Sequence, residues 1–187
     1  MLLVLRDISS GAAQGAVVPL PVKFLSGPNR GSFHLGDGSL YVAGSTGWQT
    51  SSLKDGSLQR VRYNGRRAGL PVGWKARPDG LDLTFSIPLD PKTAVDVGSF
   101  AVKRWNYRYT STYGSKDWSV TREDTEGRDT VDVVQAELLP DGRTIRLRFA
   151  DQRPAMQVEI KYNLDGTDER PVKGSLWLTL NAVPPSR

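Results

Sequence analysis

Apolar and polar residues alternate with period two in several short runs, and most of these runs stop at a glycine-containing turn pair. Thr144-Ile145-Arg146-Leu147-Arg148-Phe149 is the clearest, with Ile145, Leu147 and Phe149 on one face and Arg146 and Arg148 on the other. Leu81, Leu83 and Phe85 alternate with Asp82 and Thr84, and Leu176, Leu178 and Leu180 with Trp177 and Thr179. Ser39-Leu40-Tyr41-Val42-Ala43, Leu58-Gln59-Arg60-Val61-Arg62-Tyr63 and residues 131–134 and 157–162 read as further strands. The pairs Asp37-Gly38, Asp55-Gly56, Asn64-Gly65, Asp79-Gly80, Asp141-Gly142 and Asp165-Gly166 tolerate positive φ and predict tight hairpin turns. No long window keeps a 3.6-residue period, so the pattern predicts an all-β protein.

The texture changes between Gly65 and Gly73: before it Gly and Ser are dense, and after it the strands lengthen and the loops become charged. The expected organisation is a short β segment over residues 1–67 and a β-sandwich over residues 68–187, Ig-like or jelly-roll-like in type. Some seven strands in the second part suit two packed sheets. The first part is small for a core of its own, and is expected to pack on the sandwich or on neighbouring domains of a larger protein.

Composition narrows the chemistry. The 187 residues include no Cys and one His, His34. That removes disulfides, thiolate zinc sites, iron–sulfur clusters, attached c-type haem, cysteine nucleophiles and multi-histidine metal sites. No cofactor and no metal are expected. The formal net charge is +5, but the basic residues are scattered and no nucleic-acid motif is present, so a solvated basic face is expected and no nucleic-acid partner. Residues 1–5 are apolar but too short for a secretory core, and no apolar run approaches a membrane span of about 18 residues. If the protein is exported, its leader is not in this sequence.

Gly15-Ala16-Val17-Val18-Pro19-Leu20-Pro21, Asp37-Gly38-Ser39-Leu40-Tyr41-Val42, Gly47-Trp48-Gln49-Thr50 and Arg60-Val61-Arg62-Tyr63 form a recognisable series. It resembles the last propeller blade of bacterial proteins related to soluble quinone-dependent sugar dehydrogenases. The later Leu83-Thr84-Phe85-Ser86, Pro88-Leu89-Asp90-Pro91, Trp105-Asn106-Tyr107 and Asp141-Gly142-Arg143-Thr144 are similar to the tail and Ig-like domains of such multidomain proteins. The resemblance implies an all-β accessory region in a secreted or periplasmic protein. It carries no redox centre here, because one blade does not make a propeller and Cys-x-x-Cys-His is absent. No catalytic role passes to His34.

The most informative stretch for function is Arg104-Trp105-Asn106-Tyr107-Arg108-Tyr109, followed by Tyr113 and Trp118. On a strand, Trp105, Tyr107 and Tyr109 make an aromatic row. Exposed aromatic planes stack on the apolar faces of pyranose rings, while Arg108 and Asp117 supply hydrogen bonds to hydroxyls. Trp105 and Tyr107 are equally open to a core role, since alternating aromatics also make an ordinary buried face. Tyr109, Tyr113 and Trp118 sit among loop residues and are expected at the surface. Residues 110–128 form a long loop, and Asp117, Glu123, Asp124, Glu126 and Asp129 in and beside it are the carboxylates a glycosidase needs. A charge-balanced solvated loop is the preferred reading of them.

Other motifs are weaker. Asp165-Gly166-Thr167-Asp168-Glu169 has calcium-like composition without EF-hand spacing, and reads as a hairpin turn. The glycine-rich stretch 44–50 lacks the Lys-Ser/Thr ending of a phosphate loop; Trp48 within it is expected to be buried or to seal an interface. The expectation is therefore a non-catalytic module binding poly- or oligosaccharide through Trp105, Tyr107, Tyr109, Tyr113, Trp118, Arg108 and Asp117. The alternatives are a structural domain capping a propeller and a carboxylate-dependent glycoside hydrolase.

Overall fold

Two antiparallel sheets built from residues 2–19 and 68–186 carry the hydrophobic core of the larger of two compact units. The computed structural model describes residues 1–9, 11–47 and 52–186. The first sheet has six strands in the order β1 (Leu2–Ser9), β2 (Ala12–Pro19), β13 (Pro171–Leu180), β12 (Ala155–Asp165), β8 (Phe100–Trp105), β9 (Asp129–Val131). The second has four, in the order β10 (Val133–Leu138), β11 (Thr144–Phe149), β7 (Gly80–Phe85), β6 (Pro71–Arg77). One short helix, α1 (Pro91–Ala94), starts on Pro91, and the Asp90 carboxylate accepts from Lys92 N at 2.7 Å.

The period-two runs explain the layers. Leu81, Leu83, Phe85, Ile145, Leu147 and Phe149 from one sheet meet Val102, Val158, Ile160, Tyr162, Leu176 and Leu178 from the other in one buried cluster. The alternating partners Asp82, Arg146 and Arg148 point away, as the pleat requires. The Phe85 and Tyr162 rings meet edge to face with centroids 5.3 Å apart, and burial pushes the Tyr162 hydroxyl up to about 12. Inside the end of β8, Arg104 is 4% exposed; its guanidinium pairs with the Asp151 carboxylate and donates to the Asp151 carbonyl at 2.7 Å. Burial raises the Asp151 carboxyl, but hydrogen bonds from Arg104 and Arg153 more than offset it and hold it low.

The turn pairs appear where the alternation stops. Gly38 and Gly142 adopt φ of 64° and 66° between paired strands. At the β6–β7 hairpin Gly80 serves a different need. A Cβ on it would be driven into the carbonyl oxygen of Leu147 on the adjacent strand, so only glycine lets β7 and β11 close there.

The domain boundary differs from the expected one. Residues 2–19, grouped with the first segment by composition, form the β1–β2 hairpin, and β2 pairs with β13 through Trp177↔Val17 and Leu178↔Ala16. Burial is the cause: Leu5, Ala16 and Val18 face the sandwich core and are 6%, 2% and 1% exposed. A polar cluster fixes the hairpin further. Asp7 accepts from Ser9 Oγ at 2.5 Å, Gln14 Nε2 at 3.2 Å and Ala76 N at 3.3 Å, and Gln14 Oε1 accepts from Asn181 N at 2.9 Å and Ala182 N at 3.1 Å.

The smaller unit, residues 20–67 with Met1, holds the three-stranded antiparallel sheet β3 (Gly27–Phe33), β4 (Leu40–Ser45), β5 (Gly56–Val61). Val42 is its buried hydrophobic residue among those described, while Phe33, Leu35, Leu58 and Tyr63 are exposed. His34 bonds Asp37 at 3.1 Å, and the Asp37 carboxyl is held low first by the Ser39 backbone N–H. Trp48 lies outside the described residues.

Candidate functional site

β8 ends at Trp105 because the next residue turns to another partner. Asn106 exchanges two backbone hydrogen bonds with Trp118, at 2.8 and 2.9 Å, and Trp118 bridges in turn to Glu126. Residues 106–128 thus form a tongue closed by backbone bridges, most of whose residues are exposed and whose charges are paired, as the charge-balanced loop reading expects. The expected strand row of Trp105, Tyr107 and Tyr109 is broken at this point. Asn106 also ties the tongue to β12: its Oδ1 accepts from Met156 N at 2.9 Å, and Tyr107 N donates to the Met156 sulfur at 3.2 Å.

The base of the tongue is organised by Asp129. Its carboxylate accepts from Ser119 Oγ at 2.6 Å, Val120 N at 2.8 Å and Thr121 N at 2.9 Å, while Ser119 Oγ accepts from Arg122 N at 2.9 Å. Burial pushes the Asp129 carboxyl up, but the bonds from Ser119, Thr121 and Val120 outweigh it and hold the group below the usual range. Asp124, at φ 55°, makes the left-handed turn that brings the tongue back.

Two arginine–tryptophan stacks lock the tongue. The Arg128 guanidinium lies 3.8 Å over the Trp105 ring and that of Arg108 lies 4.0 Å over Trp118. Each arginine is held by a tongue carboxylate, Arg128 by Asp117 at 2.6 Å and Arg108 by Asp124 at 2.5 Å. Arg128 also lies 3.8 Å from Glu159, a nearly buried carboxylate on the outer face of β12. Both indole N–H groups are buried without a hydrogen-bond partner. Trp105 is 3% exposed, but it lies on the opposite side of β8 from the core residues Val102 and Arg104, under the tongue.

The tyrosines behave differently. Tyr107 is 40% exposed, and Tyr109 and Tyr113 are 100% and 108% exposed. Around them Ser115 Oγ accepts from Arg108 N at 3.0 Å, and Thr110 Oγ1 donates to the Thr112 and Gly114 carbonyls at 2.9 and 3.2 Å. Of the sequence-chosen residues, Tyr107, Tyr109, Tyr113 and Arg108 therefore line the outer lobe. Trp105, Trp118 and Asp117 form its foundation. The sequence gives no sign of the parts played by Arg128, Met156 and Glu159, nor of the tie from Asn106 to Met156, because these partners are distant along the chain.

The tongue carboxylates are largely engaged: Asp117, Asp124 and Glu126 with Arg128, Arg108 and Lys116, and Asp129 with its three donors. Among the described residues, no group of three or more His, Asp or Glu could hold a metal ion, and no helix is long and apolar enough to cross a membrane. Comparison with family models, with curated proteins and with solved structures gave no match.

Proposed function

We propose that this protein is a non-catalytic carbohydrate-binding module whose tongue offers Tyr107, Tyr109 and Tyr113 to a poly- or oligosaccharide in a secreted or periplasmic setting. The observation that carries the reading is the full exposure of Tyr109 and Tyr113 on a lobe anchored by two cation–π stacks. Aromatic faces left bare on an ordered support bind apolar surface without first ordering the chain, which lowers the entropic cost of association. Threonine, serine and arginine groups beside them suit hydroxyl recognition. A hydrolase fits less well, because Asp117, Asp124 and Glu126 are paired with Arg128, Arg108 and Lys116, and Asp129 is held by Ser119, Val120 and Thr121.

Affinity titration against soluble glucans and xylans tests the proposal. Binding that falls at least tenfold in Tyr109→Ala/Tyr113→Ala, with the melting temperature unchanged, is the expected result. Absence of binding to any glycan, or equal binding by the variant, overturns it.

A second reading, a structural or protein-interaction domain, draws on the arginines covering both indoles and on the exposed Phe33, Leu35, Leu58 and Tyr63 of the smaller unit. It predicts that glycans leave tryptophan fluorescence and its quenching unaltered.

A further inference from the structure

The outer face of the four-stranded sheet carries basic residues that the tongue does not use. Strand register places Lys75, Asp82, Arg146 and Glu137 in one cross-strand row, and Arg77, Gly80 and Arg148 in the next. Gly80, between Arg77 on β6 and Arg148 on β11, is buried and adds no side chain to the second row. With strands about 4.8 Å apart, the backbones of β6 and β11 stand about 10 Å apart. A groove of about 650 Å³ runs here, its lining including Lys75, Arg77, Asp79, Arg146, Arg148 and Pro184.

The acids in the groove orient the cations without cancelling them. Arg146 is bidentate to Asp82 at 2.9 and 3.1 Å, and Arg148 pairs with Asp79 at 3.1 Å and donates to Gln135 at 3.3 Å. Asp82 reaches Arg77 at 3.9 Å, and Lys75 has no ion pair among the described residues. Four cations face three carboxylates, Asp79, Asp82 and Glu137, and among the described residues guanidinium N–H donors of Arg77 and Arg148 have no partner. Free guanidinium edges with fixed stems are suited to carboxylate recognition.

We infer that this groove is an anion subsite for a carboxylate-bearing polysaccharide, one acid group lying between Arg77 and Arg148 with Lys75 beside it. The interleaved Asp79, Asp82 and Glu137 oppose a polymer as densely charged as duplex DNA, which carries a charge about every 1.7 Å. A chain with one carboxylate per sugar can place its acids over the cations and its hydroxyls over the acids. The choice of a saccharide as carrier rests on the function proposed above; the anion selectivity stands on the groove alone.

Affinity electrophoresis of the full chain in gels containing polygalacturonate, its fully methyl-esterified form or duplex DNA tests the inference. Retardation by polygalacturonate that disappears with the ester, and an apparent affinity at least tenfold weaker for Lys75→Ala/Arg77→Ala, are expected. Tyr109→Ala/Tyr113→Ala separates the two sites: it should weaken neutral and acidic glycans alike while leaving the preference for acid over ester intact. No retardation by polygalacturonate, equal retardation by the ester, or an unchanged Lys75/Arg77 variant overturns the groove. Stronger retardation by DNA than by polygalacturonate overturns the saccharide as its ligand.

Discussion

Arg128 holds its guanidinium 3.8 Å above the ring of Trp105 while its Nε donates to Asp117 at 2.6 Å, so one side chain ties the tongue to the sheet beneath it. The indole is thereby kept from water on a sheet face that would otherwise be open.

Removing that side chain should uncover Trp105. Arg128→Ala is expected to cost about 1 kcal/mol, from the lost stack and ion pair. It should also shift tryptophan emission to the red and increase quenching by acrylamide. Unchanged quenching would show that other atoms shield the ring.

Asp129 gives the tongue an acid-sensitive base. Its folded carboxyl titrates below its unfolded value, so its contribution is fully present above about pH 4 and is lost as pH falls through the folded value. Asp129→Asn should lower stability at neutral pH by about 2 kcal/mol and flatten the acid limb of the stability–pH curve. Urea midpoints measured from pH 7 downward would reveal both effects.

Gly80 marks a close approach of backbones. Gly80→Ala places its methyl group against the Leu147 carbonyl and must move β7 or β11. A loss of about 3 kcal/mol or more is expected, within the range seen for overpacked buried sites. Gly142→Ala, whose Cβ meets nothing within 4 Å, should cost less, about 1 kcal/mol from its positive φ; thermal melts of the pair compare them directly.

Gln14 satisfies the backbone N–H groups of Asn181 and Ala182, just after β13, and donates to Asp7. Gln14→Ala should destabilise the unit by about 2 kcal/mol. Amide exchange should accelerate first at Asn181 and Ala182. Retained protection at those two amides would argue against the assignment.

Much of the sandwich was legible because its signal is local. Ile145, Leu147 and Phe149 alternate with Arg146 and Arg148, and that pattern alone orients β11. The β1–β2 hairpin was not legible: its burial depends on β13, a strand more than 150 residues away, and Leu2-Leu3-Val4-Leu5 carries no alternation. In the tongue, the exposure of Tyr109 and Tyr113 follows from their polar surroundings. The covering of Trp105 does not, because Arg128 and Asp117 reach it through pairings that no short-range spacing encodes.

The six-stranded sheet joins β1 and β2 to β13, a strand more than 150 residues further along the chain. Until residues 171–180 emerge, β2 offers an unpaired edge and the side chains of Ala16 and Val18 have no second strand to close over them. The smaller unit, meanwhile, is an excursion leaving and re-entering one domain. Completion of that domain is consequently a late, long-range event, and folding should be slow for a chain of this size.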